Sequence, residues 1–118
     1  MLTKVQSKEL SGLFKLISHP FRIRLLLTLS EDEACVCHVE CTLGKRQAYI
    51  SQHLMALRKS GFIRARREGK YVFYKLNDPG LLKLIHQAAQ LQGIEFDKHE
   101  VSAQHQAEKC ECPTCGTH

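Results

Sequence analysis

The sequence predicts a mainly α-helical fold with one β-hairpin, a winged helix-turn-helix, on three observations. Apolar residues recur at helical spacing through most of residues 1–61 and again after Asp78. Gly44 separates two amphipathic helices, and a run rich in Ile, Val, Phe and Tyr from Phe62 to Leu76 turns at Glu68-Gly69. With 118 residues, 43% of them hydrophobic, the chain is expected to form one small domain, residues 1–94, followed by a flexible Cys-rich tail, residues 95–118. That length leaves no room for a multidomain enzyme. No apolar run approaches the roughly 20 residues that a membrane-spanning helix needs. The start Met1-Leu2-Thr3-Lys4 lacks the zones of a secretion signal, so a cytoplasmic location is expected.

Each element has its own signal. Leu10, Leu13, Phe14 and Ile17 mark a first helix, and Phe21, Leu25, Leu26 and Leu29 a second after the break at His19-Pro20. Pro20 suits a first helical turn, where its missing N–H costs nothing, and this helix should stop near Ser30. The acidic stretch Glu31-Asp32-Glu33 then favours the N-terminus of a third helix from about Ala34 to Leu43, ended by Gly44. Between Lys45 and Gly61 the apolar positions Ile50, Leu54 and Leu57 form one narrow stripe, so one face is buried and the other free. Alternation from Ile63 to Leu76 predicts a two-stranded wing, with Gly69 accepting the turn. Asp78 caps a last helix carrying Leu81, Leu84, Ile85 and Ala88 on one face.

Net charge is +5 but unevenly placed, +8 over residues 1–76 and −3 over residues 77–118. A basic body of this kind meets a polyanion or merely keeps the protein soluble, and the motifs decide between them. Gln47, Ala48, Ser51 and Gln52 lie off the buried stripe, in the N-terminal half of the helix that would read bases. Gln pairs with adenine and Ser bonds any base, whereas Arg46, Arg58 and Lys59 suit phosphates. Singly these residues are an ordinary solvated face. Arg64, Arg66, Arg67 and Lys70, gathered around the hairpin tip with only Glu68 opposing, turn the reading toward double-stranded DNA. Tyr71, Phe73 and Tyr74 are expected to pack against the helices rather than stack on bases.

Six cysteines in a chain with no export signal read as thiols rather than disulfides. Cys35 and Cys37 are two apart, which on an ideal helix points them about 200° away from each other, so one ion reaches both only through an irregular helix entrance. Cys37 and Cys41 share a helix face, although Cys41 alone reads equally as a small buried hydrophobe. Cys110, Cys112 and Cys115 form a close cluster in the tail. Soft thiolates of this kind accept cadmium, lead, zinc, copper(I) or arsenite. The spacing Cys112-Pro113-Thr114-Cys115 is also that of thiol oxidoreductases, but no strand precedes it, which argues against an enzyme.

Over roughly residues 8–92 the chain resembles the ArsR/SmtB metalloregulators. The likeness runs through His19-Pro20-Phe21-Arg22-Ile23-Arg24-Leu25-Leu26, Cys35-Val36-Cys37, Ile50-Ser51-Gln52-His53-Leu54, Leu57-Arg58-Lys59-Ser60-Gly61 and Arg66-Arg67-Glu68-Gly69-Lys70. The resemblance implies a homodimeric repressor, joined through the first and last helices, whose two recognition helices enter successive major grooves of a palindromic operator. It also implies an effector site at Cys35 and Cys37, completed by the tail thiols Cys110, Cys112 and Cys115. Cys41 and His38 are secondary candidates, His38 standing where the family usually has an aspartate. The inducer implied first is As(III) or Sb(III), with Cd(II), Pb(II) or Zn(II) as alternatives and a thiol redox or persulfide switch as a further one. The family's zinc site on the last helix is not expected, since Pro79 and Gly80 follow Asp78, and Leu91 and Ile94 occupy the later ligand positions. His53 resembles the family's histidine in its Ser-x-His-Leu motif and is expected to be a packing residue without a charged partner.

Overall fold

Thr3 opens the first helix through a capping box, its hydroxyl accepting the Gln6 N–H at 3.1 Å while the Gln6 side chain accepts the Thr3 N–H at 3.0 Å. In the computed structural model, which describes residues 1–95, the order is α1 Lys4–Ile17, α2 Pro20–Glu31, β1 Ala34–Cys35, α3 Val36–Leu43, α4 Gln47–Lys59, β2 Ile63–Glu68, β3 Tyr71–Leu76 and α5 Pro79–Leu91. The tail that holds Cys110, Cys112 and Cys115 lies outside the described residues. Among the described residues no helix is long and apolar enough to cross a membrane.

Punctuation follows the local chemistry. His19 caps α2, its ring Nδ1 accepting the Phe21 N–H at 3.1 Å, and Pro20 occupies the first turn. Gly44 ends α3 at φ 66°, a left-handed conformation costly to any residue with a Cβ, and so sets the turn into α4. Asp78 caps α5 by accepting the Gly80 N–H at 2.8 Å.

One core joins these elements. Leu25, Leu26 and Leu29 of α2, Val39 of α3, Ile50, Leu54 and Leu57 of α4, and Ile63 of β2 are almost wholly buried, with Leu81 and Ile85 of α5 closing one side. Each such side chain contributes about 1.5 to 3 kcal/mol by leaving water. No residue of α1 is buried. Val5, Leu10 and Phe14 of α1, with Leu91 at the end of α5 and Ile94 beyond it, remain exposed.

The region before α3 departs from the sequence expectation. Helix α3 starts at Val36 rather than Ala34, because Ala34 and Cys35 form a strand antiparallel to β3, pairing Ala34 with Tyr74 and Cys35 with Phe73. The wing is therefore the outer part of a three-stranded sheet, order β1-β3-β2, and not an isolated pair. Glu31-Asp32-Glu33 does not cap α3 either: Glu31 ends α2, Asp32 follows as its cap, and the α3 cap is the sulfur of Cys35, which accepts the His38 N–H at 3.3 Å.

Candidate nucleic-acid interface and thiol site

Helix α4 buries Ile50, Leu54 and Leu57 against α2 and α3 and leaves Gln47, Ala48 and Gln52 exposed, with Ser51 half-buried beside them. The residues expected to meet base edges thus share one outward face. Arg46 is the N-cap, and no side chain caps the helix, so its first N–H groups stay open to an outside acceptor. Arg58 lies exposed in the last turn.

The wing continues this surface. Arg64, Arg67 and Lys70 are exposed, Lys70 with its Nζ 5.4 Å from the Tyr71 ring centroid. Arg66 is disposed differently. Its Nη2 and Nε donate to the two carboxylate oxygens of Glu33 at 2.6 and 3.2 Å, its Nη1 donates to Glu68 at 3.1 Å, and its guanidinium lies 4.8 Å from the centroid of the Phe73 ring. Two hydrogen bonds from Arg66 hold the Glu33 carboxyl below its ordinary value of 4.5. Phe73 is buried, Tyr74 packs on the main core and Tyr71 on the cysteine cluster, as expected of packing aromatics.

The thiols meet at the sheet. The expectation of free thiols is corrected at one pair: Cys35 and Cys37 are joined as a disulfide, their Cα atoms 5.4 Å apart, because the bend at the helix entrance brings the two side chains together. The extended conformation of Cys35, φ −80° and ψ 166°, is the irregular helix entrance that brings together two side chains a regular helix would separate. Cys35 and Phe73 form a small buried cluster against which Cys37, Cys41 and Tyr71 pack. Cys41 is half-buried with a free thiol. His38 is half-buried two positions from the pair, its backbone serving the α3 cap. Among the described residues, no group of three or more His, Cys, Asp or Glu side chains is disposed around one metal ion.

His53 corrects the expectation that it lacks a charged partner, since Arg22 Nε donates to its Nδ1 at 2.9 Å while Arg22 Nη1 donates to the Leu16 carbonyl at 2.9 Å. The His53 ring is 8% exposed and lies between His19 at 4.6 Å, Tyr49 at 4.7 Å and Phe21 at 5.1 Å between centroids. Burial, then the neighbouring His19 and Arg22 charges, push its pKa below the ordinary 6.5. This places a neutral imidazole between α2 and the helix that would read DNA. Glu33, read from the sequence only as part of an acidic helix start, and Arg22, read only as part of a motif, gain these roles from distant partners that the sequence does not show.

Known proteins match this architecture. Residues 19–65 fit the profile described as bacterial regulatory protein, arsR family. An arsenic resistance transcriptional regulator of Pseudomonas putida is 42% identical over 79 residues, spanning 66% of this chain and 68% of the relative. A homologue of a cadmium resistance transcriptional regulatory protein from Staphylococcus aureus is 34% identical over 88 residues, spanning 74% and 73%. Among solved structures, the transcriptional repressor BigR from Xylella fastidiosa superposes with a TM-score of 0.68 at 34% identity, covering 75% of this chain and 90% of that one. The family is one of DNA-binding transcriptional regulators rather than enzymes, and with relatives of this identity and coverage this chain belongs to the arsR family of bacterial regulatory proteins.

Proposed function

We propose that this protein is a thiol-responsive transcriptional repressor that holds a palindromic operator as a homodimer and releases it when the cysteine site changes state. The observation that carries the reading is the continuity of the two sites. Cys35 belongs to a strand bonded to β3, and β3 with β2 forms the basic wing beside α4. In this reading Gln47, Ala48, Ser51 and Gln52 meet base edges, and Arg46, Arg58, Arg64, Arg67 and Lys70 meet phosphates. Arg66, its charge offset by Glu33 and Glu68, acts chiefly as the strut between the wing and the residue before β1.

The effector proposed first is As(III) or Sb(III), held by the thiolates of Cys35 and Cys37 with a third sulfur from Cys110, Cys112 or Cys115. Cd(II), Pb(II) or Zn(II), which favour four donors, is the alternative. The donor chemistry fits, because the two sulfurs converge on one point at the helix entrance and both are soft. The names of the relatives, arsenic in one and cadmium in the other, support this class of effector. Such an ion would supply a bridge between the β1–α3 junction and the tail, while the chain's own residues carry the change: the Cys35–Phe73 pairing shifts and the wing moves relative to α4. The coupling required is about 1 to 3 kcal/mol and is reciprocal, so operator DNA weakens effector binding by the same factor.

A second reading is favoured by the bonded state of Cys35 and Cys37. Here hydrogen peroxide takes two electrons and two protons from the thiols, giving the disulfide and two waters, and the disulfide sets the wing. Fluorescence anisotropy of the reduced protein on DNA from its own promoter, at fixed salt, tests both. Release on adding arsenite or cadmium at about one equivalent per chain supports the ion reading. Release by peroxide, reversed by reductant in metal-free buffer, supports the redox reading, and binding that none of these disturbs overturns both.

The homodimer is supported by the apolar faces of α1 and α5. Phe14, Ile17, Leu27, Leu84, Ala88 and Ile94 line an apolar cleft of about 570 Å³, and Phe14 and Ile94 are exposed. An exposed patch of this kind marks an interaction surface.

A further inference from the structure

A second concave feature lies where the N-terminus of α2 meets the N-terminus of α4. It is a cleft of about 260 Å³, floored by Phe21 and Leu43 and edged by His19, Arg24, Lys45 and Tyr49. Its charged lining is entirely cationic. Arg24 and Lys45 are exposed, and among the described residues neither makes an ion pair, unlike Arg66 on the wing. Lys45 is held over the Tyr49 ring, its Nζ 5.6 Å from the centroid, which keeps the ammonium at the edge of the cleft. His19 uses Nδ1 to accept the Phe21 N–H, so its neutral ring carries its proton on Nε2, a donor left for something else. The His19 ring is fixed in turn by contact with His53 at 4.6 Å. The positive end of α4, uncapped by any side chain, adjoins the same edge through Arg46.

A cleft with two unpaired cations, an N–H donor and a phenol has the composition of a phosphate seat. Its place, one residue before the N-cap of the recognition helix, selects the phosphate. We propose that the cleft seats one backbone phosphodiester of the operator, with Lys45 and Arg24 as its charges and Tyr49 Oη and His19 Nε2 as donors. The seat fixes the depth and register at which Gln47, Ser51 and Gln52 of α4 enter the groove. His19, Arg24, Lys45 and Tyr49 are therefore DNA-positioning residues. This inference rests on the DNA-binding reading given above.

The test is the salt dependence of binding by the full, reduced chain on duplex DNA from its own promoter, followed by anisotropy. Lys45→Gln and Arg24→Gln are each expected to weaken binding and to lower the slope of log affinity against log salt by up to about 1.8, one phosphate contact's counterion release in each half-site of the dimer. Tyr49→Phe, which keeps the ring and removes only the hydroxyl, is expected to weaken binding several-fold with the slope unchanged. Lys83→Gln, an exposed α5 cation outside the cleft, serves as the control with no effect on either quantity. Thermal melting of each variant matching that of the parent chain separates these effects from misfolding. Parent-like slopes in both Lys45→Gln and Arg24→Gln overturn the seat while leaving DNA binding standing. Failure of the parent chain itself to bind any duplex overturns the DNA reading, and the seat with it.

Discussion

Arg66 of β2 grips Glu33, the residue just before β1, with two hydrogen bonds across 33 positions of sequence. Arg66 also stands opposite Phe73 in the β2–β3 register, and Phe73 stands opposite Cys35 in the β1–β3 register. The thiol pair and the wing are thus joined twice, by backbone pairing through Phe73 and by a side-chain bridge around it. A change at Cys35 that shifts β1 moves the carboxylate that steadies Arg66.

Removing that bridge while leaving the backbone pairing intact tests its part in the response. Glu33→Gln is expected to fold normally, because an exposed pair of this kind contributes little to global stability and is screened by salt. The ratio of DNA affinities with and without effector is expected to shrink several-fold. A ratio equal to that of the parent chain would take the pair out of the coupling route.

The sulfurs separate by position. Cys37→Ser is expected to leave operator binding intact and to abolish release by arsenite or cadmium, whereas Cys41→Ala, which removes the free thiol, is expected to keep release. Titrating each variant with effector on bound DNA checks this, and continued release in Cys37→Ser would remove Cys37 from the site.

The His53 environment predicts a pH effect of definite sign. Since its folded pKa lies below the ordinary 6.5, the unfolded chain takes up the proton at a higher pH than the folded one. The stability contributed is full above 6.5 and is lost as pH falls from there through the folded value. Urea midpoints measured at about pH 7.5 and about pH 5.5 should fall further for the parent chain than for His53→Gln. Equal falls would mean that His53 titrates as it does in the unfolded chain.

Thr42 offers a stabilising substitution. It is 8% exposed, and its hydroxyl has no hydrogen-bond partner among the described residues. Thr42→Val keeps the branched shape and removes the buried oxygen, so it is expected to raise unfolding free energy by about 1 kcal/mol. Denaturant unfolding reads the change, and a loss of stability would show that the hydroxyl is bonded in solution.

The apolar face of α1 and α5 predicts the oligomeric state. Phe14→Asp introduces a charge into the cleft beside Ile17, Leu27 and Leu84. By sedimentation the parent chain is expected at twice the mass of one chain and the variant at one, with DNA affinity falling accordingly. A variant that stays dimeric would move the interface elsewhere.

By itself the sequence determined the elements whose signals are local. The helical stripe Ile50, Leu54 and Leu57, the stops at Gly44 and Gly61, the hairpin at Glu68-Gly69 and the Asp78 cap each follow from residues within one or two turns of one another, and all are present in the fold. It also set the basic surface and the cysteine spacing. Tertiary structure alone decided what depends on distant partners. A strand of two residues, Ala34–Cys35, has no periodicity to read and exists only because β3 supplies its hydrogen bonds. The same is true of Arg22 on His53, 31 positions away, and of Arg66 on Glu33. Local pattern records which face of an element is apolar; only packing brings a second element within hydrogen-bond reach, and the contacts that join the cysteine pair to the wing are of that long-range kind.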